Sequence, residues 1–83
     1  MDNLSKVELK ILIAVARSQN SECEIATLVR TLSMSVRDVK YHIYLLTFDG
    51  EYLCWIGGSK PDEPDRYRLT KKGRRFLLEG SFI

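Results

Sequence analysis

The sequence is poor in the residues that most catalytic and metal sites require. Its 83 residues include one histidine and two cysteines, and no glycine-rich stretch of the kind that cradles phosphate. A nucleophile needs a base within hydrogen-bond reach and a further group that orients this base. His42 lies inside a predicted helix, so we expect it to be a partly buried structural residue. We therefore predict a protein that is not an enzyme, with no catalytic residues, metal or cofactor.

Long hydrophobic runs and export signals are also missing from the sequence. No apolar stretch approaches the roughly 20 residues of a membrane span, and residues 1–20 lack the layout of a signal peptide. Cys23 and Cys54 lie far apart, and neither has a second cysteine or a histidine nearby at metal-ligand spacing. We expect a cytoplasmic protein without a membrane partner. Two thiols fit a reducing compartment, while a disulfide between them stays open.

The composition fits a single folded domain over residues 1–83. Hydrophobic residues make up 45% and charged residues 29% of the chain, as in ordinary globular proteins. The net charge is only +2, but residues 66–75 hold six cations and no acid. Such a cluster can attract a polyanion or form a solvated helix face, and both readings stay open. Its members are Arg66, Arg68, Lys71, Lys72, Arg74 and Arg75.

Two helix starts are marked by the same pattern. Ser5 precedes Glu8 by three residues and Ser35 precedes Asp38 likewise, as expected for a serine N-cap followed by an acid at the third helical position. The intervening helix is expected to begin near Ser21 or Glu22 and to end at the turn formed by residues 33–34. The sequence thus predicts three helices, the third of them over about residues 35–47.

The third helix has two opposite faces. Val39, Ile43 and Leu46 recur at helical spacing and are expected to be buried. The other side carries hydrogen-bond donors of the kind that contact bases and phosphates, namely Arg37, Lys40, Tyr41 and Tyr44. Alternatively, either tyrosine could pack under the following strands, or Arg37 could form a surface ion pair with Asp38 or with an acid on the second helix.

The remainder of the chain predicts a β-hairpin and a last helix. Residues 52–56 and 66–69 are rich in strand-forming types, and the segment between them is rich in turn residues. Asp49 and Gly50 are expected to end the third helix. Thr70 is expected to cap a final helix that ends near Gly80, with Phe76 and Leu77 facing inward.

This order of elements resembles a winged helix-turn-helix domain. Residues 28–35 resemble its second helix and turn, and residues 39–53 its recognition helix and first wing strand. The stretch Tyr67–Gly73 is similar to a pattern frequent in the MarR and PadR groups of transcription regulators. The resemblance implies an α+β fold with a three-helix core, a β-hairpin wing over about residues 52–69 and a C-terminal helix. It also implies sequence-specific binding of double-stranded DNA and a role in transcription regulation.

The resemblance further implies which residues meet DNA. The recognition helix would read the major groove through Arg37, Lys40, Tyr41 and Tyr44, and Ser35 at its start can serve a phosphate. The wing would contact the flanking backbone or minor groove through Lys60, Arg66 and Arg68, with secondary phosphate contacts from Lys71 and Arg74. The acidic residues at the wing tip, Asp62, Glu63 and Asp65, repel phosphate, so we expect the base of the wing to contribute more than its tip.

Two further interpretations accompany this hypothesis. A homodimer is expected because one small module makes few base contacts and symmetric dimers bind paired half-sites. Its contact could involve the end at Phe82 and Ile83, or Ile11 and Val15 of the first helix, although these residues could equally belong to the core. The alternative function is a winged-helix protein-interaction module that does not bind DNA. The sequence does not reveal an effector ligand.

Overall fold

The computed structural model describes residues 4–57 and 65–83. Four α-helices and a three-stranded antiparallel sheet make up this part of the chain, which confirms the predicted α+β winged helix-turn-helix architecture. In chain order the elements are helix α1 (Lys6–Arg17), a 3₁₀ turn (Gln19–Ser21), strand β1 (Glu22–Glu24), helix α2 (Ile25–Leu32), helix α3 (Val36–Tyr44), a π-helical turn (Leu45–Asp49), strands β2 (Leu53–Trp55) and β3 (Arg66–Leu69), and helix α4 (Lys71–Glu79).

The predicted helix caps are present. Ser5 Oγ accepts from the Glu8 backbone N–H at 3.1 Å, while Glu8 Oε1 accepts from the Ser5 N–H at 3.1 Å. At the start of α3, Ser35 Oγ accepts from the Asp38 N–H at 3.1 Å. Thr70 Oγ1 does the same for the first turn of α4. Each bond satisfies an N–H that the helix itself leaves without a partner, so local sequence fixes these three starts.

The expected start of the second helix near Ser21 or Glu22 is wrong. Residues Gln19–Ser21 form a 3₁₀ turn, with Asn20 and Ser21 at positive φ, and α2 begins only at Ile25. Residues 22–24 are instead a strand, because β3 offers them an antiparallel partner. Local preference for a helix start is overridden by this long-range pairing, which the sequence pattern of a single segment does not contain.

The sheet joins the wing to the helical core. Its strand order is β1-β3-β2, so the predicted hairpin of β2 and β3 is confirmed and gains β1 as a third strand. Cys23, Leu53 and Leu69 are buried, whereas Cys54 and Arg68, which lie opposite each other, are exposed. This alternation shows that one side of the sheet covers the core. The predicted wing tip, including Lys60, Asp62 and Glu63, lies outside the described residues.

The core is built from all four helices and the sheet. The inward side of α3 is buried as predicted, and Ile11 and Val15 of α1 are fully buried, which assigns them to the core of this chain. Phe82 and Ile83 remain partly exposed. The buried apolar residues are Ile11, Leu12, Val15, Cys23, Leu28, Val39, Ile43, Leu46, Tyr52, Leu53, Leu69 and Leu77.

The end of α3 differs from a regular helix. After Tyr44 the chain continues for one π-helical turn, closed by a bond from the Gly50 N–H to the Leu45 carbonyl oxygen at 2.9 Å. The helical stretch therefore ends at Asp49, at the predicted stop, but the regular helix α3 covers Val36–Tyr44 instead of about residues 35–47. The wider turn keeps Leu46 in the core and leaves Phe48 exposed beside Tyr44.

Candidate nucleic-acid interface

The outward side of α3 carries the side chains that the sequence singled out. Arg37 and Lys40 are exposed, and Tyr41 and Tyr44 expose 61% and 58% of their surface. The alternative in which a tyrosine packs under the strands is therefore wrong. The buried side of the same helix fixes this orientation, because residues three and four apart share a face.

The cations of this face are free to meet a ligand. Within residues 4–57 and 65–83, neither Arg37 nor Lys40 forms an ion pair, so the alternative of an Arg37 surface pair is not observed there. Ser35 Oγ accepts the capping bond from Asp38, which leaves its own hydroxyl hydrogen available for donation. The outer face of α3 thus presents two cations and three hydroxyl groups.

The arginines of the wing are differently placed. Arg68 Nη2 and Nε lie 2.6 Å and 3.1 Å from Glu22 Oε2, and Arg66 Nη2 lies 3.5 Å from Glu22 Oε1. Glu22 is on the neighbouring strand β1, directly opposite Arg68. One carboxylate therefore partly neutralises both cations. Sequence reasoning missed this contact because it placed Glu22 in a helix.

The other predicted phosphate contacts lie on α4. Lys71 is exposed at its first turn, and Arg74 Nη2 donates to Ser21 Oγ at 2.7 Å. Lys72 Nζ lies 5.0 Å from the centre of the Tyr52 ring. The basic stretch of residues 66–75 is thus divided between the sheet and the helix, with several of its members already engaged.

His42 links the inner side of α3 to α1. Its Nδ1 lies 3.0 Å from Glu8 Oε2, and the two side chains are only 21% and 11% exposed. Burial raises the pKa of the Glu8 carboxyl, but hydrogen bonds from His42 and from the Ser5 N–H outweigh it and hold the pKa below its ordinary value of 4.5. The prediction that His42 is a partly buried structural residue is confirmed, with Glu8 as a partner that sequence reasoning did not identify.

Two exposed aromatic residues near α3 were not among the predicted site residues. Phe48 exposes 65% of its surface and Trp55 56%. Phe48 follows Tyr44 by four residues, the spacing that keeps side chains on one helix face, and this signal could have revealed it. The exposure of Trp55 depends on the tertiary position of β2, which no local pattern gives.

The described residues show neither a metal-binding cluster nor a membrane-spanning helix. No group of three or more His, Cys, Asp and Glu residues in this part of the chain could hold a metal ion. Within the same residues, no helix is both long enough and apolar enough to cross a bilayer. Cys23 and Cys54 are both free thiols, the first buried and the second exposed. Burial raises the pKa of the Cys23 thiol.

The fold is similar to that of a solved bacterial repressor and of a solved MarR family member. The adhesin competence repressor AdcR from Streptococcus pyogenes matches with a TM-score of 0.81 and 16% identity, covering 96% of this chain and 57% of that chain. ZitR from Lactococcus lactis, a zinc-responsive MarR family member, matches with a TM-score of 0.81 and 18% identity, covering 96% and 53%.

A mutant of ZitR in complex with DNA gives a TM-score of 0.80 and 18% identity over 96% of this chain and 52% of that chain. The chain therefore spans about half the length of these regulators. No protein-family model matches the sequence. A search of curated proteins also gives no significant match. The similarity is one of fold.

Proposed function

We propose that the protein binds double-stranded DNA sequence-specifically and regulates transcription, without enzymatic activity. The observation that carries this proposal is the outer face of α3, which exposes Arg37, Lys40, Tyr41 and Tyr44 on the helix that follows the turn. In helix-turn-helix proteins this second helix enters the major groove, where base edges offer acceptors to such donors. Support also comes from ZitR, which shares the fold and of which a mutant has a structure in complex with DNA.

The residues of the interface take different roles in this proposal. Arg37 and Lys40 contact guanine edges or phosphates, Tyr41 and Tyr44 contact the backbone or a thymine methyl, and Ser35 donates to a phosphate. Arg37, Lys40, Tyr41 and Tyr44 are the residues proposed to read the major groove, and Ser35 is a proposed phosphate contact.

The sheet and α4 supply sequence-independent affinity in the proposal. Arg66 and Arg68 would share their charge between phosphate and Glu22, so their contribution is smaller than two free arginines would give. Lys60 would contact the flanking backbone, and Lys71 and Arg74 would add phosphate contacts. We also propose that the protein acts as a homodimer in the cytoplasm, where paired modules would read two half-sites.

Selection of bound duplexes from a random pool tests the proposal, followed by affinity measurements on the selected sequence. Arg37→Ala should weaken binding by about 1–3 kcal/mol and relax the preference at one base position. Arg17→Ala, which removes an exposed arginine from the end of α1, is the matched control and should change little.

Salt dependence provides a second readout. The logarithm of the affinity should fall linearly with the logarithm of salt concentration, with a slope of about −0.9 per neutralised phosphate. Failure to enrich any sequence, together with a flat salt response, would contradict DNA binding and support the protein-interaction alternative.

A further inference from the structure

A groove lies between the π-helical turn, strand β2 and the start of α4. Its volume of about 560 Å³ falls within the roughly 300–1,000 Å³ of small-molecule sites. We call it the aromatic groove and define it by Phe48, Glu51, Leu53, Trp55, Lys71 and Lys72. Leu53 is buried, whereas the rings of Phe48 and Trp55 are more than half exposed. Large exposed rings beside a groove are typical of a binding surface.

Both rings are held in place although they are exposed. Trp55 Nε1 donates to Asp65 Oδ1 at 3.3 Å. Gly57, at a φ of +60°, packs so close that a Cβ there would lie 2.8 Å from Trp55 Cζ2. The Phe48 ring lies 4.9 Å from the ring centre of Tyr44. A platform that is already ordered loses little conformational entropy when a ligand stacks on it.

Two ammonium groups line the groove at the start of α4. Its lining carries the ammonium groups of Lys71 and Lys72 and the carboxylate of Glu51, while the Asp65 carboxylate beside Trp55 is engaged by the indole N–H. Lys71 has no hydrogen-bond or ion-pair partner within residues 4–57 and 65–83, and Lys72 lies over the Tyr52 ring. An anionic ligand with a flat aromatic part matches this combination of ammonium groups and ring faces.

We infer that the aromatic groove binds an unpaired nucleotide, stacking its base on Phe48 or Trp55 and holding its phosphate near Lys71. This inference rests on the proposed DNA binding, because Tyr44 belongs to the outer face of α3 and its ring contacts Phe48. The groove therefore continues the face that meets the duplex. The unpaired strand at a tail, fork or bubble of the bound duplex is the proposed source of this nucleotide.

The chain contains one tryptophan, so its fluorescence reports on the groove directly. The full chain is titrated with an oligothymidylate of about ten nucleotides, with a selected blunt duplex, and with that duplex carrying an unpaired thymidine tail. The oligothymidylate should quench Trp55, and the tail should increase duplex affinity about tenfold, in line with the effect of base–aromatic stacking. Equal affinity of blunt and tailed duplexes, without quenching by the oligothymidylate, would overturn the inference.

Substitutions of Phe48 test nucleotide stacking in the groove separately from duplex binding. Phe48→Leu keeps an apolar side chain beside Tyr44 but removes the stacking face, and should abolish most of the ratio between tailed-duplex and blunt-duplex affinity, both measured on the same variant. Phe48→Tyr should restore the gain. Leu78→Ala, on the exposed surface of α4 outside the groove, is the matched control.

Charge variants at the rim add an independent readout. Lys71→Ala should weaken, and Glu51→Gln should strengthen, binding of the oligothymidylate, since they remove attraction and repulsion respectively. Quenching by an acidic peptide containing phenylalanine, but not by the oligothymidylate, would overturn the inference in favour of a protein partner. If the wild-type chain binds no blunt duplex at all, the proposed function is refuted instead.

Discussion

Removal of the Glu8 carboxylate should destabilise the protein and loosen the anchoring of α3. In the wild type this carboxylate accepts hydrogen bonds from Ser5 N–H and pairs with His42, both within 3.1 Å. The cost of breaking a buried pair from one side reaches about 3–5 kcal/mol. Because His42 is still 21% exposed and water can partly replace the lost partner, we expect about 2–3 kcal/mol for Glu8→Ala.

The assay is urea unfolding followed by circular dichroism, at several pH values. In thermal unfolding, a decrease of about 2–3 kcal/mol in the free energy of unfolding should lower the midpoint by about 10–20 °C in a domain of this length. Glu8→Gln keeps the shape of the side chain and one acceptor oxygen, so its free energy of unfolding should fall by about half as much as that of Glu8→Ala. Glu79→Gln removes an exposed carboxylate and serves as the matched control.

The pH dependence has a definite sign. The folded-state pKa of Glu8 is below its ordinary value of 4.5, so the folded protein binds fewer protons than the unfolded chain near that pH. Its stabilising contribution is complete above about pH 4.5 and is lost as the pH falls through the folded-state pKa. Glu8→Gln should flatten this part of the profile. Equal urea midpoints for wild type, Glu8→Ala and Glu79→Gln would refute the anchoring role of Glu8.

Three further substitutions test the packing around the interface. Thr47→Val should stabilise the protein by up to about 1 kcal/mol in urea unfolding, because the buried Thr47 hydroxyl has no partner in the described part of the chain; destabilisation would contradict this. Gly73→Ala should destabilise the protein by about 1–3 kcal/mol, because the added Cβ would collide with the Tyr52 carbonyl oxygen and this outweighs the better helix propensity of alanine. An unchanged thermal midpoint would contradict this expectation. Ser35→Ala should cost about 0.5–2 kcal/mol through the lost cap to Asp38, and Ser35→Asp should recover most of it in the same assay.

Local patterns were sufficient for most helices and for the orientation of α3. The serine and threonine caps depend on residues three positions apart, and the buried side of α3 depends on helical spacing. Both kinds of information are contained in short windows of sequence. The prediction that Arg37, Lys40, Tyr41 and Tyr44 face outward therefore agrees with their exposure.

Contacts between distant segments were beyond these patterns. Strand β1 exists because Glu22–Glu24 pair with residues 66–68 of β3, more than 40 residues later in the chain. The same pairing brings Glu22 to Arg66 and Arg68 and so changes the expected charge of the wing. The Glu8–His42 pair also joins two helices that are separate in sequence. Patterns within short sequence windows do not identify contacts between residues so far apart in the chain.

The most direct test of DNA binding by α3 is an NMR titration of the isotopically labelled chain with the selected duplex. The largest amide shifts should fall on residues 35–44, with smaller ones at the sheet and at the start of α4. Arg37→Ala should reduce the shifts of its neighbours at equal DNA concentration. Unchanged α3 signals at saturating DNA, or shifts confined to the far side of α1, would contradict the proposed interface.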